Sequence, residues 1–221
     1  MLIRRILVHA LRLAFHLFYN PFAFTYDFVS ALVSRGRWRQ WTRAAIPRVA
    51  GTRILEVPCG TGNLLLDLHA AGYAPIGVDL SASMLSITRG KVQRAGIRLP
   101  LARARAQALP FPDRAFDSVV MTFPPGFVND PSAFAELRRV LDERGRLIWV
   151  DGARFRSGLW GRLVNRWIGF VGSEIEFEST IKQVLARAGF DARVEWVSDD
   201  ASVVAVAVAT RASHPLSADN R

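Results

Sequence analysis

Arg53-Ile-Leu-Glu-Val-Pro-Cys-Gly-Thr-Gly-Asn63 is the stretch that decides the fold. It begins with a short apolar run stopped by turn residues, which predicts a buried strand, and it continues into a glycine-bearing turn. The following residues to Ala71 read as a helix, with Gly72 as its stop signal. A glycine-rich turn between a strand and a helix presents backbone N–H groups to an anionic or polar ligand. The stretch therefore predicts an α/β fold with a ligand site at residues 58–63.

Strands and helices continue to alternate after this turn. The predicted elements are strands at 75–79, 101–106, 116–123 and 145–151, and helices at 81–95 and 130–141. Ser81 is a favourable N-cap residue for the first of these helices, and Pro131 suits the first turn of the second. Such alternation predicts a parallel sheet that is covered by helices on both faces.

The C-terminal part of the chain departs from this alternation. A helix is predicted at 180–189, followed by strands at 192–197 and 201–210 that only residues 198–200 join. Three residues are too few for a crossover between parallel strands, so the pair is predicted to be an antiparallel hairpin. The whole chain is then divided into a helical N-terminal extension at 1–50, the α/β domain at 51–211, and a disordered tail at 212–221.

The charge and the cysteine content limit the partners and the compartment. The chain has 29 Lys and Arg against 19 Asp and Glu, a formal net charge of +10. This excess favours anionic partners, which include nucleic acid, anionic lipid and acidic substrates, and charge alone does not choose among them. Cys59 is the only cysteine, so a disulfide within the chain is excluded, which fits the reducing cytoplasm.

The first 20 residues predict an amphipathic helix. Arg5, His9, Arg12 and His16 form one narrow polar stripe, and apolar side chains cover the remainder of the helical surface. The segment is too interrupted for a membrane span, which needs about 20 apolar residues. A helix in a membrane interface has this pattern, and so does a helix packed on the protein's own core. Two locations follow: free in the cytoplasm, or peripheral on the inner face of the membrane.

The ligand of the glycine turn is indicated by two further positions. Asp79 ends the second predicted strand, where its carboxylate is placed to accept hydrogen bonds from ribose hydroxyls. The third glycine of the dinucleotide-binding pattern would fall at Leu65, which argues against NAD or FAD and leaves a dinucleotide enzyme as the alternative.

Four segments together resemble the successive motifs of class I S-adenosylmethionine (SAM)-dependent methyltransferases. They occur in the family's order between about residues 50 and 150, and they lie at 54–62, 77–81, 106–113 and 137–141. The resemblance implies a Rossmann-like sheet of seven mostly parallel strands that ends in an antiparallel hairpin. It also implies SAM as the methyl donor, and no metal is expected.

The resemblance further implies which residues hold SAM. The methionine part would lie on the glycine turn, the ribose at the end of the second strand, and the adenine beside the third. In that order the implied residues are Glu56, Pro58, Cys59, Gly60 and Gly62, then Asp79, then Leu80, Met84, Ala106 and Gln107, with Thr122 and Phe123 beneath the cofactor.

Two positions depart from the family pattern. Pro58 replaces the usual first glycine of the turn, which removes an N–H group and fixes φ. Arg105 stands where the family often has an aspartate that accepts from the adenine amino group. Arginine has no acceptor atom, so we expect that contact to be lost or to be supplied by Gln107.

The acceptor is less constrained than the donor. The polar groups nearest the predicted mouth are Tyr19, Tyr26, Asp27 and Asp151, and none of them is singled out as a catalytic base. In the segment 155–171, apolar residues share one helical face where family members commonly place a substrate cover. Residues 26–28 and 38–41 also resemble the entry helices of quinone-biosynthesis methyltransferases.

These features favour a small hydrophobic acceptor, such as a quinol, a lipid or a lipophilic metabolite, met at an anionic membrane surface. Two alternatives remain. A nucleic-acid (RNA) methyltransferase would use the arginine excess on phosphates, although no separate RNA-binding module is visible. A non-catalytic protein with the same fold is the other.

Overall fold

The computed structural model describes residues 20–171 and 177–212. The predicted helix at the N-terminus, up to residue 19, and the predicted tail from residue 213 lie outside these ranges. Within them, the strands are β1 Ile54–Glu56, β2 Ile76–Asp79, β3 Leu101–Arg103, β4 Phe116–Thr122, β5 Leu141–Phe155, β6 Phe190–Ser198 and β7 Ser202–Arg211. The α-helices there are α1 Tyr26–Val33, α2 Trp38–Arg43, α3 Asn63–Ala70, α4 Ala82–Arg94, α5 Pro131–Val140, α6 Leu159–Val171 and α7 Phe177–Arg187. Short 3-10 helices lie at Ala23–Thr25, Ile46–Arg48 and Gly126–Asn129.

The seven strands described form one sheet in the order β3-β2-β1-β4-β5-β7-β6. The first five are parallel to one another, and β7 is antiparallel to both β5 and β6. This confirms the predicted Rossmann-like sheet and its C-terminal hairpin. The strand order reverses between β1 and β4, and ligands of open α/β sheets bind at the carboxyl ends of the strands at such a switch point.

Helices cover both faces of the sheet, as predicted. On one face, α5 and α7 pack on the sheet through fully buried side chains such as Phe134, Leu137 and Leu185. On the other face, the N-terminal helices, α3 and α6 pack through a second cluster that includes Trp41 and Leu68. The sheet is therefore buried between two apolar layers, and only its edges are left for ligands.

The two predicted helix starts are confirmed. The Ser81 hydroxyl accepts from the Met84 N–H at 3.2 Å and caps α4. The Asp130 carboxylate accepts from the Ser132 N–H at 3.0 Å and caps α5, with Pro131 in its first turn. Side-chain caps of this kind satisfy N–H groups that have no partner within the helix.

Several strands differ in length from the prediction. β6 extends over Phe190–Ser198 and not only over 192–197. The prediction for β5 was 145–151, but the strand begins at Leu141 and continues to Phe155. Gly152 adopts φ of +63°, and the pairing with β7 shifts register between Asp151 and Arg154, so a bulge carries the strand past the glycine. β3 ends early, at Arg103, because the chain turns at once and the Ala108 N–H donates to the Arg105 carbonyl.

Residues 38–43 are fastened to the sheet domain by polar contacts. Arg39 donates to the Asp67 carboxylate of α3 through Nε and Nη2, with a shortest distance of 2.6 Å. The Asp67 side chain is only 3% exposed, so this pair is shielded from water on the carboxylate side. The Trp41 indole donates to the Ser202 hydroxyl at 2.9 Å inside the protein. These contacts hold α2 against α3 and β7.

We expect Asp67→Asn to lower the free energy of unfolding by about 1–3 kcal/mol, because charge-assisted hydrogen bonds of a buried carboxylate are lost. Urea denaturation followed by tryptophan fluorescence measures the change. Asp113→Asn is the matched control, since Asp113 also pairs with an arginine but its side chain is 72% exposed, and such pairs contribute about 0–1 kcal/mol. Equal losses in the two variants would contradict a fastening role for Asp67.

Candidate active site

The glycine turn lies between β1 and α3, as the sequence predicted. Gly60 and Gly62 both adopt left-handed φ, +52° and +78°. A Cβ atom at Gly62 would lie 2.5 Å from the Thr88 methyl carbon, so no larger residue fits there without a shift. A Cβ atom at Gly60 would meet nothing within 4 Å. The backbone at Gly60 therefore faces open space, as a turn that contacts a ligand directly requires.

The proline in this turn does not prevent the turn from forming. Pro58 follows a cis Val57–Pro58 peptide bond, and the next residue, Cys59, donates its N–H to the Val78 carbonyl at 2.8 Å. The Gly62 N–H closes the turn on the Cys59 carbonyl at 2.9 Å. Cys59 is buried, and burial raises the pKa of its thiol, so this residue packs the turn and is not a nucleophile.

Two buried carboxylates flank the glycine turn. Glu56 is 2% exposed, and its Oε2 atom has no hydrogen-bond partner. Burial raises the pKa of Glu56 well above its ordinary value, and the charges of Asp79 and Asp67 raise it further. Asp79 accepts from the N–H groups of Gly60 and Ser81, each at 2.8 Å, but burial still raises its pKa. Among the described residues, neither Glu56 nor Asp79 forms an ion pair. A cationic group of a ligand would therefore neutralise the negative charge of these carboxylates.

The predicted adenine region lies where β2 and β3 end side by side. Asp79 pairs with Arg103, so Leu80 and the turn at 104–108 leave the sheet at neighbouring points. Leu80 is 54% exposed and offers an apolar surface to a ring. Met84 and Ala106 are buried beneath this surface.

The two polar residues of the same turn have different surroundings. The Arg105 side chain is exposed to solvent. Gln107 donates through its amide nitrogen to the Asp130 carboxylate at 3.1 Å, which fixes the orientation of the amide. Because its nitrogen is held in this way, the carbonyl oxygen of Gln107 is the atom left to accept from an adenine amino group.

A polar cluster fastens α1 to the glycine turn. Asp27 accepts from the Thr61 hydroxyl at 2.7 Å, from the Asn63 amide at 2.9 Å and from Lys91 at 2.5 Å. Lys91 also donates to the side-chain oxygen Oδ1 of Asn63 at 2.6 Å. Burial alone would raise the pKa of Asp27, but these hydrogen bonds lower it below its ordinary value. The sequence indicated Asp27 but not its partners, because Lys91 is distant along the chain and reaches it only through α4.

An aromatic wall of Tyr26, Trp38, Trp41 and Phe123 stands beside this cluster. The Phe123 ring stacks on Trp38 with centroids 4.3 Å apart, and Tyr26 meets Trp38 edge-on at 6.1 Å. Phe123 directly follows β4 and adopts a left-handed φ of +45°, which costs a non-glycine residue about 1–3 kcal/mol. Thr122, the last residue of β4, is half-buried next to it. The strained backbone turns the Phe123 ring towards the N-terminal helices, and this arrangement could not be read from the sequence.

Asp151 lies at the same edge of the sheet, on the adjacent strand. The Phe123 N–H donates to the Val150 carbonyl at 2.8 Å, so the two residues are brought to neighbouring strand positions. The Asp151 carboxylate accepts from the Gly152 N–H at 2.8 Å and from the Trp149 indole at 3.3 Å. Burial nevertheless raises the pKa of Asp151 to about 6. A carboxylate with this pKa is suited to accept a proton near neutral pH.

Helix α6 covers this edge from the side. It packs inward through Gly161 and Val164, while Leu159, Trp160 and Leu163 of the predicted apolar face are 73%, 41% and 62% exposed. Side chains 167–171 of that face lie outside the described part. None of the described helices has the length and apolar composition needed to span a bilayer. In the same ranges, no three His, Cys, Asp or Glu residues are grouped so that they would hold a metal ion.

Comparisons with known proteins agree with this geometry. The family described as "Methyltransferase domain" matches residues 54–145. A demethylmenaquinone methyltransferase of Thermus thermophilus is 32% identical over 204 residues, which cover 80% of this chain and 93% of that protein. A ubiquinone/menaquinone biosynthesis C-methyltransferase of Geobacter sulfurreducens is 34% identical over 154 residues, which cover 66% of this chain and 60% of that protein.

Solved structures show the same fold. A SAM-dependent methyltransferase of Thermotoga maritima superposes with a TM-score of 0.66 at 23% identity, covering 88% of this chain and 98% of that one. A SAM-dependent methyltransferase of Aquifex aeolicus superposes with a TM-score of 0.59 at 19% identity, covering 81% and 97%. At these identities the likeness concerns the fold alone.

Proposed function

Because the chain belongs to the class I SAM-dependent methyltransferases, we propose that it transfers the methyl group of SAM to a ring carbon of a hydrophobic hydroquinone. The aromatic wall beside the glycine turn carries the proposal, since stacked rings at the carboxyl edge suit a flat, apolar acceptor. The Thermus relative is named as a methyltransferase of demethylmenaquinone, and the Geobacter relative as a C-methyltransferase of ubiquinone and menaquinone biosynthesis. Both names support the same class of acceptor.

The residues of the turn fit SAM, whose sulfonium supplies an electrophilic methyl group. Glu56 has an unpartnered buried oxygen, which we assign to the ammonium of the methionine part. The backbone at Gly60 and Gly62 lies against the same part, and Asp79 accepts from the ribose hydroxyls. Leu80 supports the adenine, and the remaining contacts of the family pattern fall to Pro58, Cys59, Met84, Ala106, Gln107 and Thr122.

Asp151 acts on the acceptor in this proposal. Its carboxylate takes the proton of a ring hydroxyl, which makes the neighbouring ring carbon electron-rich. That carbon would form a bond to the methyl group of SAM as the methyl–sulfur bond breaks and S-adenosylhomocysteine leaves. The proton on the ring carbon would then pass to water, and Asp151 would return its proton to the ring oxygen. The aromatic wall holds the ring in line with the methyl group, and such positioning supplies much of the rate of a displacement.

Two measurements test the function. Calorimetric titration of SAM into the full chain is expected to show saturable binding, and absence of heat at high protein concentration would overturn the enzyme assignment for this chain. Incubation with tritiated SAM and reduced demethylmenaquinone is then expected to move label into the organic phase. Label in RNA added to the same reaction, with none in the quinol, would establish the nucleic-acid alternative instead.

An exposed apolar ridge lies beside the proposed acceptor site. It consists of Phe24, Phe28 and Leu32, which follow one another at helical spacing and are 73%, 71% and 57% exposed. The Trp160 indole donates to the Val33 carbonyl at 3.3 Å and so joins this ridge to α6, where Leu159 and Leu163 are also exposed. Exposed arginines 35, 156 and 162 lie on the same elements or beside them. We propose that the ridge rests on an anionic membrane surface, from which the acceptor enters.

We expect the double variant Phe28→Ser/Leu32→Ser to bind anionic phosphatidylglycerol vesicles about 30- to 900-fold more weakly, because each of the two exposed side chains contributes about 1–2 kcal/mol when a lipid surface buries it. Vesicle co-sedimentation measures the partitioning. Trp196→Ser is the control, since Trp196 is 43% exposed on β6 at the far side of the sheet. Unchanged binding of the double variant, or an equal loss in the control, would contradict the ridge.

A further inference from the structure

A groove lined by arginines lies between α5 and α7, on the face of the sheet opposite the N-terminal helices. Its volume is about 760 Å³, within the range of small-molecule sites. Val128 and Val184 are among its apolar lining, and arginines 114, 138, 139, 187 and 211 contribute to the remainder. Asp113 is the one acidic residue among the lining residues described. The methyl-transfer site described above does not use this groove.

Two of the five arginines are neutralised by carboxylates. Arg139 pairs with Glu136 and Asp113, and Arg114 pairs with Glu143. Within the described ranges, Arg138, Arg187 and Arg211 form no such ion pair. The Nε atoms of Arg138 and Arg211 are buried and have no hydrogen-bond partner. The groove therefore holds positive charge that no carboxylate of the described ranges neutralises.

Arg211 is fixed at the end of the groove. Its Nη2 donates to the carbonyls of Arg138 and Leu141, so the guanidinium is held beside the α5–β5 junction. Burial lowers the pKa of Arg211, and the charges of Arg138 and Arg114 lower it further. Like charges held close together at a partly buried site cost free energy that an anion would recover. Guanidinium groups in particular match the geometry of phosphate oxygens.

We propose that this groove binds a phosphorylated small molecule, with its phosphate groups between Arg138, Arg187 and Arg211 and its apolar part against Val128 and Val184. A concave site with an apolar lining fits a small ligand better than a nucleic-acid strand. A strand would need a basic track with aromatic platforms, and Phe134, the aromatic residue among the lining, is only 1% exposed. The proposal is independent of the methyl acceptor.

Inorganic pyrophosphate is the probe for calorimetric titration into the full chain at fixed ionic strength. We expect saturable binding that Arg138→Gln and Arg187→Gln each weaken about tenfold, while Arg98→Gln, an exposed arginine elsewhere, leaves it unchanged. Absence of saturable binding, or an equal loss in all three variants, would overturn the site. SAM binding is measured on the same variants and is expected to stay unchanged, which separates this test from that of the methyl transfer.

Ala135→Glu tests the unbalanced charge without removing an arginine. Ala135 lies on α5 one turn before Arg138 and Arg139 and lines the groove. A carboxylate there is expected to raise Tm and to abolish pyrophosphate binding, whereas the neutral Ala135→Gln retains most of the affinity. A lowered Tm with unchanged binding in Ala135→Glu would overturn the proposal.

Two further experiments locate the bound anion and distinguish a small phosphorylated ligand from RNA. Tungstate soaked into crystals of the wild-type protein is expected to give a peak between Arg138, Arg187 and Arg211, and a peak elsewhere would overturn the assignment. Single-stranded RNA is titrated as a competitor of pyrophosphate. Displacement by RNA at far lower concentration, with loss of RNA binding in Arg138→Gln, would replace the small ligand by a nucleic acid.

Discussion

Glu56→Gln is expected to stabilise the ligand-free protein and to weaken SAM binding in the same variant. The Glu56 carboxylate is buried with one unpartnered oxygen and lies near the charges of Asp79 and Asp67. Its negative charge therefore lowers the free energy of unfolding. Removing that charge is expected to raise the free energy of unfolding by about 1–3 kcal/mol. Tm would then rise by about 2–4 °C per kcal/mol for a chain of this size.

The expected loss of SAM affinity also follows from removal of the Glu56 charge, because the bound cofactor needs the charge that destabilises the ligand-free protein. In the proposed site, the Glu56 carboxylate pairs with the ammonium of the methionine part, and a hydrogen bond to a charged group contributes about 1.5–3 kcal/mol. SAM is therefore expected to bind about 10- to 150-fold more weakly to Glu56→Gln in calorimetry. Asp191→Asn, an exposed carboxylate on β6, is the control and is expected to leave both quantities unchanged.

The pH dependence of stability gives an independent check on Glu56. Its pKa in the folded protein lies above its ordinary value of 4.5. The unfolded chain therefore releases this proton first, and the folded state loses stability as the pH rises above about 4.5. In Glu56→Gln that loss is absent, so the two stability curves are expected to meet at low pH and to separate as the pH rises. A gain that is equal at all pH values, or a stabilised variant with full SAM affinity, would contradict this role.

Asp151→Asn is expected to lower kcat about 100- to 10,000-fold, the usual contribution of a general base. The pKa of Asp151 is raised to about 6, and a base acts in its deprotonated form. The wild-type rate is therefore expected to rise with pH through about 6 and to level off above it. In Asp151→Asn this limb is expected to disappear, because asparagine does not titrate.

The control for Asp151 separates catalysis from structure. SAM affinity and Tm are measured on the same variant. SAM affinity is expected to change little, since the amide retains an oxygen for the Gly152 N–H, and Tm at neutral pH is expected to rise, because burial destabilises this carboxylate as it does Glu56. A lost rate would then not be explained by unfolding. Asp151→Glu is expected to recover part of the rate, because it restores a titrating carboxylate. A variant Asp151→Asn with nearly full kcat, or with the wild-type acid limb, would show that another group takes the proton.

The sequence by itself determined the order of the elements and the position of the glycine turn. Both depend on local causes. Apolar runs bounded by turn residues predict buried strands, Ser81 and Asp130 cap helices through their own side chains, and the three residues 198–200 allow only a hairpin. For the same reason the SAM-binding residues implied by the resemblance lie at strand ends and turns, except Met84, which lies in the first turn of α4.

Only the tertiary structure decided which side chains meet. Lys91 reaches Asp27 because α4 and α1 pack against the same turn, and Phe123 stacks on Trp38 because its backbone is left-handed after β4. β5 passes Gly152 because β7 offers it a partner on the far side of the bulge. These contacts join residues far apart in the chain or depend on a conformation that propensity disfavours. The glycine turn shows the same division. Its sequence predicts a ligand, but only the structure shows that Glu56, at the end of β1, is buried away from water and has an oxygen without a hydrogen-bond partner.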